Sequence, residues 1–329
     1  MKILKIALGV LVSIFFVVIL VNNLEWDKIW KDLDNNNYFI ILPAIIIQLS
    51  SYWIRSVRWK YILSSMKLMK SSELFPIVAI SYMANNILPF RMGEFVRAYL
   101  VGKKSGISKT SSFSTIVLEK IYDGISLLFI LGITAFIFPF PSWVRNMGLI
   151  STLVFLGALI FAICLVIFRS GTIKVVDRFL KYTPNTVYNS INKLLDRLIE
   201  GFEVVKDRKN LIPIAFYSML IWLMEATLFF AIAESFGFSD TIFIALFVLV
   251  IVNLGIMIPS SPGYVGTFEY FVIKSLNVFN ITKETAMGYA LVLRFAQYLP
   301  ITLIGFIFMV KEGLSLKGLA RLHKEESKQ

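Results

Sequence analysis

The sequence is nearly devoid of the residues that soluble enzymes most often use. Cys164 is the only cysteine and His323 the only histidine in 329 residues. One cysteine excludes an intrachain disulfide and a thiolate metal cluster. Cys164 lies in an apolar run and reads as packing; His323 lies in the polar tail, which argues against histidine catalysis or a histidine metal site. No ATP-binding loop is present, so active transport would draw on an ion gradient or a partner. Neither a metal nor a cofactor is expected. Acidic residues are also scarce, 21 against 33 basic ones, for a net charge of +12. In a soluble chain that excess would suggest nucleic acid. In this chain it follows the positive-inside rule, so a nucleic-acid partner is not expected.

What is abundant is apolar sequence. The chain is 57% hydrophobic, has a mean hydropathy of +0.75, and repeats runs long enough to cross a bilayer. The fold class is an all-α polytopic membrane protein, sited in a prokaryotic plasma or inner membrane. Lys2 and Lys5 precede an apolar run at 6–21 without a small-residue cleavage site, which makes it a first span with the N-terminus inside. A second span begins near Phe39, with its inner end marked by Arg55, Arg58 and Lys60. Further spans lie near 113–138, 148–168, 211–233 and 285–310. The only long polar segment is 169–210. A helix starting at Thr183-Pro184 places Tyr188, Ile191, Leu195, Leu198, Phe202 and Val205 on one face, an amphipathic surface helix. Residues 313–329 form a basic tail, which puts the C-terminus in the cytoplasm as well.

Two stretches do not fit plain spans. Residues 74–101 are interrupted by Asn85, Asn86 and Pro89, and 241–279 by Pro259-Ser260-Ser261-Pro262-Gly263-Tyr264-Val265-Gly266. Proline lacks the amide hydrogen and blocks the preceding turn. Broken backbone at membrane depth is tolerated only beside protein or a water-filled cavity. Each stretch is expected to be a re-entrant hairpin, the first entering from inside and the second from outside. Six spans and two hairpins then make one transmembrane domain, residues 1–312, in two inverted repeats, about 1–140 and about 148–312. The breaks fall at similar offsets, and Pro89-x-x-x-Gly93-Glu94 is echoed by Pro262-x-x-x-Gly266-x-x-Glu269. Inverted repeats with discontinuous helices are characteristic of transporters.

The candidate substrate-binding residues cluster at these breaks. Asn85, Asn86, Arg91, Glu94 and Arg97 form the first group, with the three charges spaced to share a helix face. Glu119 and Asp123, one turn apart, form the second beside Lys120. Ser260, Ser261, Tyr264 and Glu269 form the third, where unwound backbone offers free N–H groups to an anion. Arg294 and Gln297 lie within the last span, and Glu225 within the fifth. An unpaired charge in hydrocarbon costs about 2.5–3.5 kcal/mol on insertion scales. Each group therefore pairs or faces water. The competing readings are a phosphate grip, for which the guanidinium fork is suited, and a neutral structural core in which Glu94, Glu119 and Glu269 cancel Arg91, Arg97 and Arg294.

Three motifs, Asn86-Ile-Leu-Pro-Phe-Arg-Met-Gly-Glu-Phe-Val-Arg97, Leu118-Glu-Lys-Ile-Tyr-Asp123 and Ile258-Pro-Ser-Ser-Pro-Gly-Tyr-Val-Gly-Thr-Phe-Glu269, carry a resemblance. In their order and spacing the chain resembles the flippase-like transmembrane domain of lysylphosphatidylglycerol synthases and its stand-alone relatives. The resemblance implies movement of a charged phospholipid, or another lipid-linked anion, between leaflets. Such synthases carry a soluble aminoacyl-transfer domain after the membrane part. This chain ends about 20 residues past its last span, so lipid aminoacylation is not expected. The leading reading is a translocase and not an enzyme. The alternatives are a membrane enzyme acting on a lipid phosphate and an accessory subunit of a lipid or glycan synthase. The candidate partners are a membrane phospholipid or lipid-linked substrate, a second copy of the chain, and a synthase or glycosyltransferase.

Overall fold

A computed structural model describes residues 25–34, 38–88, 91–180, 185–257, 262–316 and 318–319. The expected first span at 6–21, the residues Pro89, Ser260 and Ser261, and most of the basic tail lie outside the described residues. Among the described residues the chain is all-helical, with short 3-10 turns and no strand.

Helix α1 (Trp26–Asp34) precedes α2 (Ile41–Leu63). The first broken stretch forms α3 (Ser71–Ile87) and α4 (Met92–Ser105). Helix α3 is capped by Glu73, whose carboxylate accepts from the Lys70 amide at 3.0 Å. Helix α5 (Lys109–Ile137) starts at Ser108, whose hydroxyl accepts from the Ser111 amide, and ends before the Phe138-Pro139-Phe140-Pro141 turn. Helix α6 (Ser142–Ile167) is apolar almost all round, and Leu153 and Phe161 point outward. Helices α7 (Arg169–Leu180) and α8 (Asn185–Phe202) occupy the polar segment. Helix α9 (Arg208–Ser235) follows a cap by Asp207, then come α10 (Thr241–Gly255), α11 (Thr267–Leu276) and α12 (Lys283–Lys311). Among the described residues, four helices are long and apolar enough to cross a membrane, Tyr38–Leu63, Ser142–Ile167, Arg208–Ser235 and Lys283–Lys311. Helix α5 matches them in length, but Glu119, Lys120 and Asp123 sit in its first half. The outer surface is apolar, with Phe136 93% exposed and Phe39 83% exposed. In water such a surface would aggregate; in a bilayer it faces lipid. The protein is a multi-pass membrane protein.

The amphipathic segment differs from expectation in two ways. Helix α7 precedes the expected helix and is tied to it, because Asp177 accepts from the Tyr188 hydroxyl at 2.7 Å and from Asn192 at 3.1 Å. Near its end the buried residues are Ile199, Phe202 and Val204, not Leu198 and Val205. A 3-10 turn at Glu203–Lys206 tightens the helix and rotates Val204 inward. This face packs against α5.

Helices α3 and α4 pack on one another, as do α10 and α11. Gly255 abuts Phe271, and Phe247 meets Phe279 edge-on at 5.4 Å, so α10 and α11 run antiparallel. Helix α2 packs along α9, α3 along α12 and α10 along α5. The apolar core divides into two large clusters. One gathers Leu127, Ile130, Trp222 and Leu228 with most of α10. The other gathers Trp59, Ile62, Ile116, Leu118 and Ile214 with α3 and α4. Along α2 and α5 the buried charges fall between the two clusters, and Glu225 of α9 meets them from within the first.

Small residues set how closely these helices approach. A Cβ added at Gly305 of α12 would lie 2.4 Å from Met83 Cβ and 2.6 Å from the Ala79 carbonyl oxygen of α3. Nothing lies within 4 Å of a Cβ at Gly132. Gly305→Ala is expected to lower stability in detergent by about 1–3 kcal/mol through overpacking. Gly132→Ala is expected to leave it unchanged or raise it by up to about 1 kcal/mol. Thermal unfolding of both variants measures the contrast.

Candidate functional site

The polar layer begins as a closed set of ion pairs. Arg97 of α4 donates through both terminal nitrogens to the two oxygens of Glu119, each at 2.9 Å. Arg58 of α2 reaches Glu119 at 3.2 Å and Asp123 at 2.6 Å, and donates to the Ser218 hydroxyl at 2.8 Å. Arg55 pairs with Glu225 of α9 and lies 3.7 Å from Asp123. Three arginines therefore balance three carboxylates, and none of the six is more than 5% exposed. The Trp59 ring lies 3.8 Å from the Arg97 guanidinium carbon, and its indole N–H donates to Thr115 at 3.0 Å. Arg97 and Glu119 meet fork to fork, Arg58 reaches both oxygens of Asp123 at 2.6 and 3.4 Å, and Arg55 meets Glu225 through one terminal nitrogen, while the Nε of each arginine makes no hydrogen bond among the described residues. Four helices meet through these contacts.

The first break lies beside this layer. The Gly93 amide donates to Asn85 Oδ1 at 2.8 Å, which folds α4 back on α3. A Cβ at Gly93 would lie 1.9 Å from the Ser81 carbonyl oxygen, so no larger residue permits this approach. Asn86 donates to Thr302 Oγ1 of α12 at 2.8 Å. Arg91 precedes α4 in the left-handed region, with φ 53° and ψ 36°. It therefore leaves the helix face that its spacing with Glu94 and Arg97 suggested. Arg97 turns inward to Glu119, while Arg91 faces a cavity and Glu94 lies beside it.

That cavity has a volume of about 100 Å³ and is lined by Asn85, Asn86, Arg91, Lys120, Asp123, Tyr264 and Gln297, with Tyr82, Asn253 and Tyr298. Arg55 and Glu225 border it from the ion-pair layer. Glu94 is 3.6 Å from Arg91 Nε and 3.9 Å from Lys120 Nζ. One carboxylate is thus shared by two cations at distances too long for hydrogen bonds. Arg91 Nε and Glu94 Oε1 are buried and make no hydrogen bond among the described residues. The Arg91 guanidinium also lies 5.8 Å from the Tyr264 ring of the second break.

At that second break, Gly263, Tyr264 and Gly266 all have positive φ. Arg294 holds the turn. Its Nε donates to Glu269 at 2.5 Å and its Nη1 to the Gly263 carbonyl at 2.7 Å. Glu269 in turn accepts from the Gly266 amide at 2.8 Å. Arg294 also packs over Phe268 and Tyr298, at 4.9 and 5.4 Å.

The expected residues therefore separate into three environments. Asn85, Asn86, Arg91, Asp123, Tyr264 and Gln297 line the cavity, with Glu94 beside it. Arg97 and Glu119 are sealed in the ion-pair layer, and Glu269 and Arg294 clamp a turn. Ser260 and Ser261 lie outside the described residues. Arg55 and Arg58, read as marking the inner end of the second span, are buried inside the bundle. Their three-residue spacing on α2 turns both inward, and only Lys60 is exposed. Asp123, four residues from Glu119, was the available signal for these partners. Lys120, three residues before Asp123 on α5, also lines the cavity and was not among the candidate residues.

Glu119→Gln leaves Arg97 and Arg58 short of a partner in a fully buried place. A loss of about 3–5 kcal/mol is expected, as for other broken buried pairs. Glu94→Gln removes a longer and partly exposed contact, so the expected loss is below about 1 kcal/mol. Thermal unfolding in detergent compares them. Equal losses would show that the two carboxylates share one environment.

Sequence relationships agree with this architecture. The family model described as the lysylphosphatidylglycerol synthase TM region matches residues 6–305. A UPF0104 membrane protein of Methanocaldococcus jannaschii is 27% identical over 94% of this chain and 95% of its own length. A UPF0104 membrane protein of Methanothermobacter thermautotrophicus is 23% identical over 80% of this chain and 83% of its own. A protein named glycosyltransferase AglD, of Haloferax volcanii, is 20% identical over 90% of this chain, which takes up 52% of that protein. No solved structure matches. With residues 6–305 matched, and the cavity, the ion-pair layer and both helix breaks inside that span, the chain belongs to the lysylphosphatidylglycerol synthase transmembrane-region family.

Proposed function

We propose that the chain is a lipid translocase and not an enzyme, and that its cavity holds the anionic headgroup of a phospholipid or other lipid-linked anion during passage between leaflets. The observation that carries this reading is the pair Arg91 and Lys120 sharing the single carboxylate of Glu94 beside an internal cavity. The cations of the ion-pair layer are matched one for one by carboxylates, whereas this pair leaves one positive charge over. A phosphate supplies the missing negative charge and oxygens for the open Arg91 donor. Acyl chains remain in lipid while the headgroup crosses.

The two broken stretches are read as re-entrant hairpins of two inverted repeats. Their helices have 17, 14, 15 and 10 residues, short of the roughly 20 needed to span hydrocarbon. The packing pattern supports a two-fold relation, since α3 lies on α12 as α10 lies on α5, and α2 lies on its counterpart α9. In this reading both termini are cytoplasmic and the chain sits in a prokaryotic plasma membrane.

A second reading is favoured by the likeness to a protein named a glycosyltransferase. In it the chain serves a glycan or lipid synthase as its membrane partner. Reconstitution in vesicles with fluorescent anionic lipids separates the two. Leaflet exchange by the purified chain is the expected result. Exchange only after a synthase is added would favour the accessory role, and chemical turnover of the lipid would indicate an enzyme. On the same preparations Arg91→Lys is expected to slow exchange about tenfold, near 1.4 kcal/mol, with unchanged stability. Arg294→Lys loses the donors that hold the turn and is expected to lose stability and exchange together. For topology, Leu68→Cys and Asn280→Cys in a background lacking Cys164 are expected to react with a polar thiol reagent from opposite sides of the membrane. Reaction from one side would remove the inverted-repeat model.

A further inference from the structure

A second, larger recess lies apart from the central cavity, between the end of α4, the start of α5 and the amphipathic helix α8. Its volume is about 1120 Å³. Among the described residues four cations line it, Lys103, Lys109, Lys193 and Arg197, and no acidic residue does. None of the four forms an ion pair among the described residues. The nearby carboxylates are taken by other partners: Asp196 pairs with Arg169 at 2.8 Å, and Glu200 accepts from the Ser111 hydroxyl at 2.6 Å. Lys109 lies 5.1 Å from the Tyr99 ring, whose face favours a cation. The other wall is apolar. Phe95 stacks on Phe113 at 4.9 Å, and Leu194 is half exposed.

We propose that this groove is a binding site for a diacyl phospholipid with an anionic headgroup, held by the four cations while a chain lies along Phe95, Phe113 and Leu194. The occupant follows from charge complementarity joined to an apolar wall. Basic pockets between membrane helices attract anionic headgroups, and an amphipathic helix lies where headgroups meet acyl chains. A free anion would leave the aromatic wall uncovered, and a zwitterionic lipid would leave the cations uncompensated. The site is separate from the translocation cavity and does not rest on that reading.

Native mass spectrometry of the full chain in detergent tests the site, with dioleoyl phosphatidylglycerol and dioleoyl phosphatidylcholine titrated in parallel. Wild type is expected to retain phosphatidylglycerol preferentially. The K103Q/K193Q/R197Q variant is expected to bind it at least about tenfold more weakly, with phosphatidylcholine unaffected. K103R/K193R keeps the charge and is expected to keep the lipid. Lys283→Gln, an exposed cation at the start of α12 and outside both recesses, is also expected to keep it. Equal retention by wild type and the triple variant would overturn the proposal. So would an equal loss on Lys283→Gln, which would reduce the effect to net charge, or displacement by inorganic phosphate at the lipid's own concentration.

Discussion

Six charges inside a membrane protein cannot stay there unpaired, and most of this bundle is arranged to pair them. Arg55, Arg58 and Arg97 meet Glu119, Asp123 and Glu225 with almost no exposure to water. Removing these groups from water is costly, and the cost is offset only when every fork finds its carboxylate. The residues come from α2, α4, α5 and α9, so the pairing fixes the relative height and rotation of four helices. Along α2 and α5 these charges separate the two apolar clusters.

The cavity depends on that layer. Because Glu119 is fully occupied by Arg97 and Arg58, it is not available to Lys120, the next residue on α5. Lys120 instead turns toward Glu94, which Arg91 also approaches. The excess positive charge of the cavity is a consequence of complete pairing next door. The two breaks deliver the remaining walls. Asn85 and Gly93 fold the first, Arg294 and Glu269 brace the second, and the Arg91–Tyr264 contact brings their tips together. A site that binds a polar headgroup in hydrocarbon needs such a rigid frame, since loose dipoles would turn toward each other and not toward the ligand.

Helix positions were legible in the sequence because apolar runs, prolines and caps report them directly. The interruptions between α3 and α4 and between α10 and α11 were visible for the same reason. Pair identity was not. The sequence offered Glu119, Glu225 and Glu269 as equal candidates for Arg294, and the choice of Glu269 follows from a turn that brings residues 25 apart together. Arg55 and Arg58 were read as loop charge because a basic residue near a span end looks the same whether it snorkels or turns inward. Arg91 left its expected helix face because backbone conformation at a break does not follow helical spacing. The rotation of Val204 into the core came from a 3-10 turn that no periodicity count contains.

The central claim is that a lipid headgroup occupies the cavity beside Arg91 and Lys120. It is tested most directly by photo-crosslinking in reconstituted vesicles, using an anionic phospholipid with a diazirine on its headgroup and mapping the adducts by mass spectrometry. The account predicts adducts on cavity residues, at Tyr82, Asn253 or Tyr298. Adducts confined to outward-facing positions such as Phe136, Leu153 and Phe161, with none in the cavity, would contradict it.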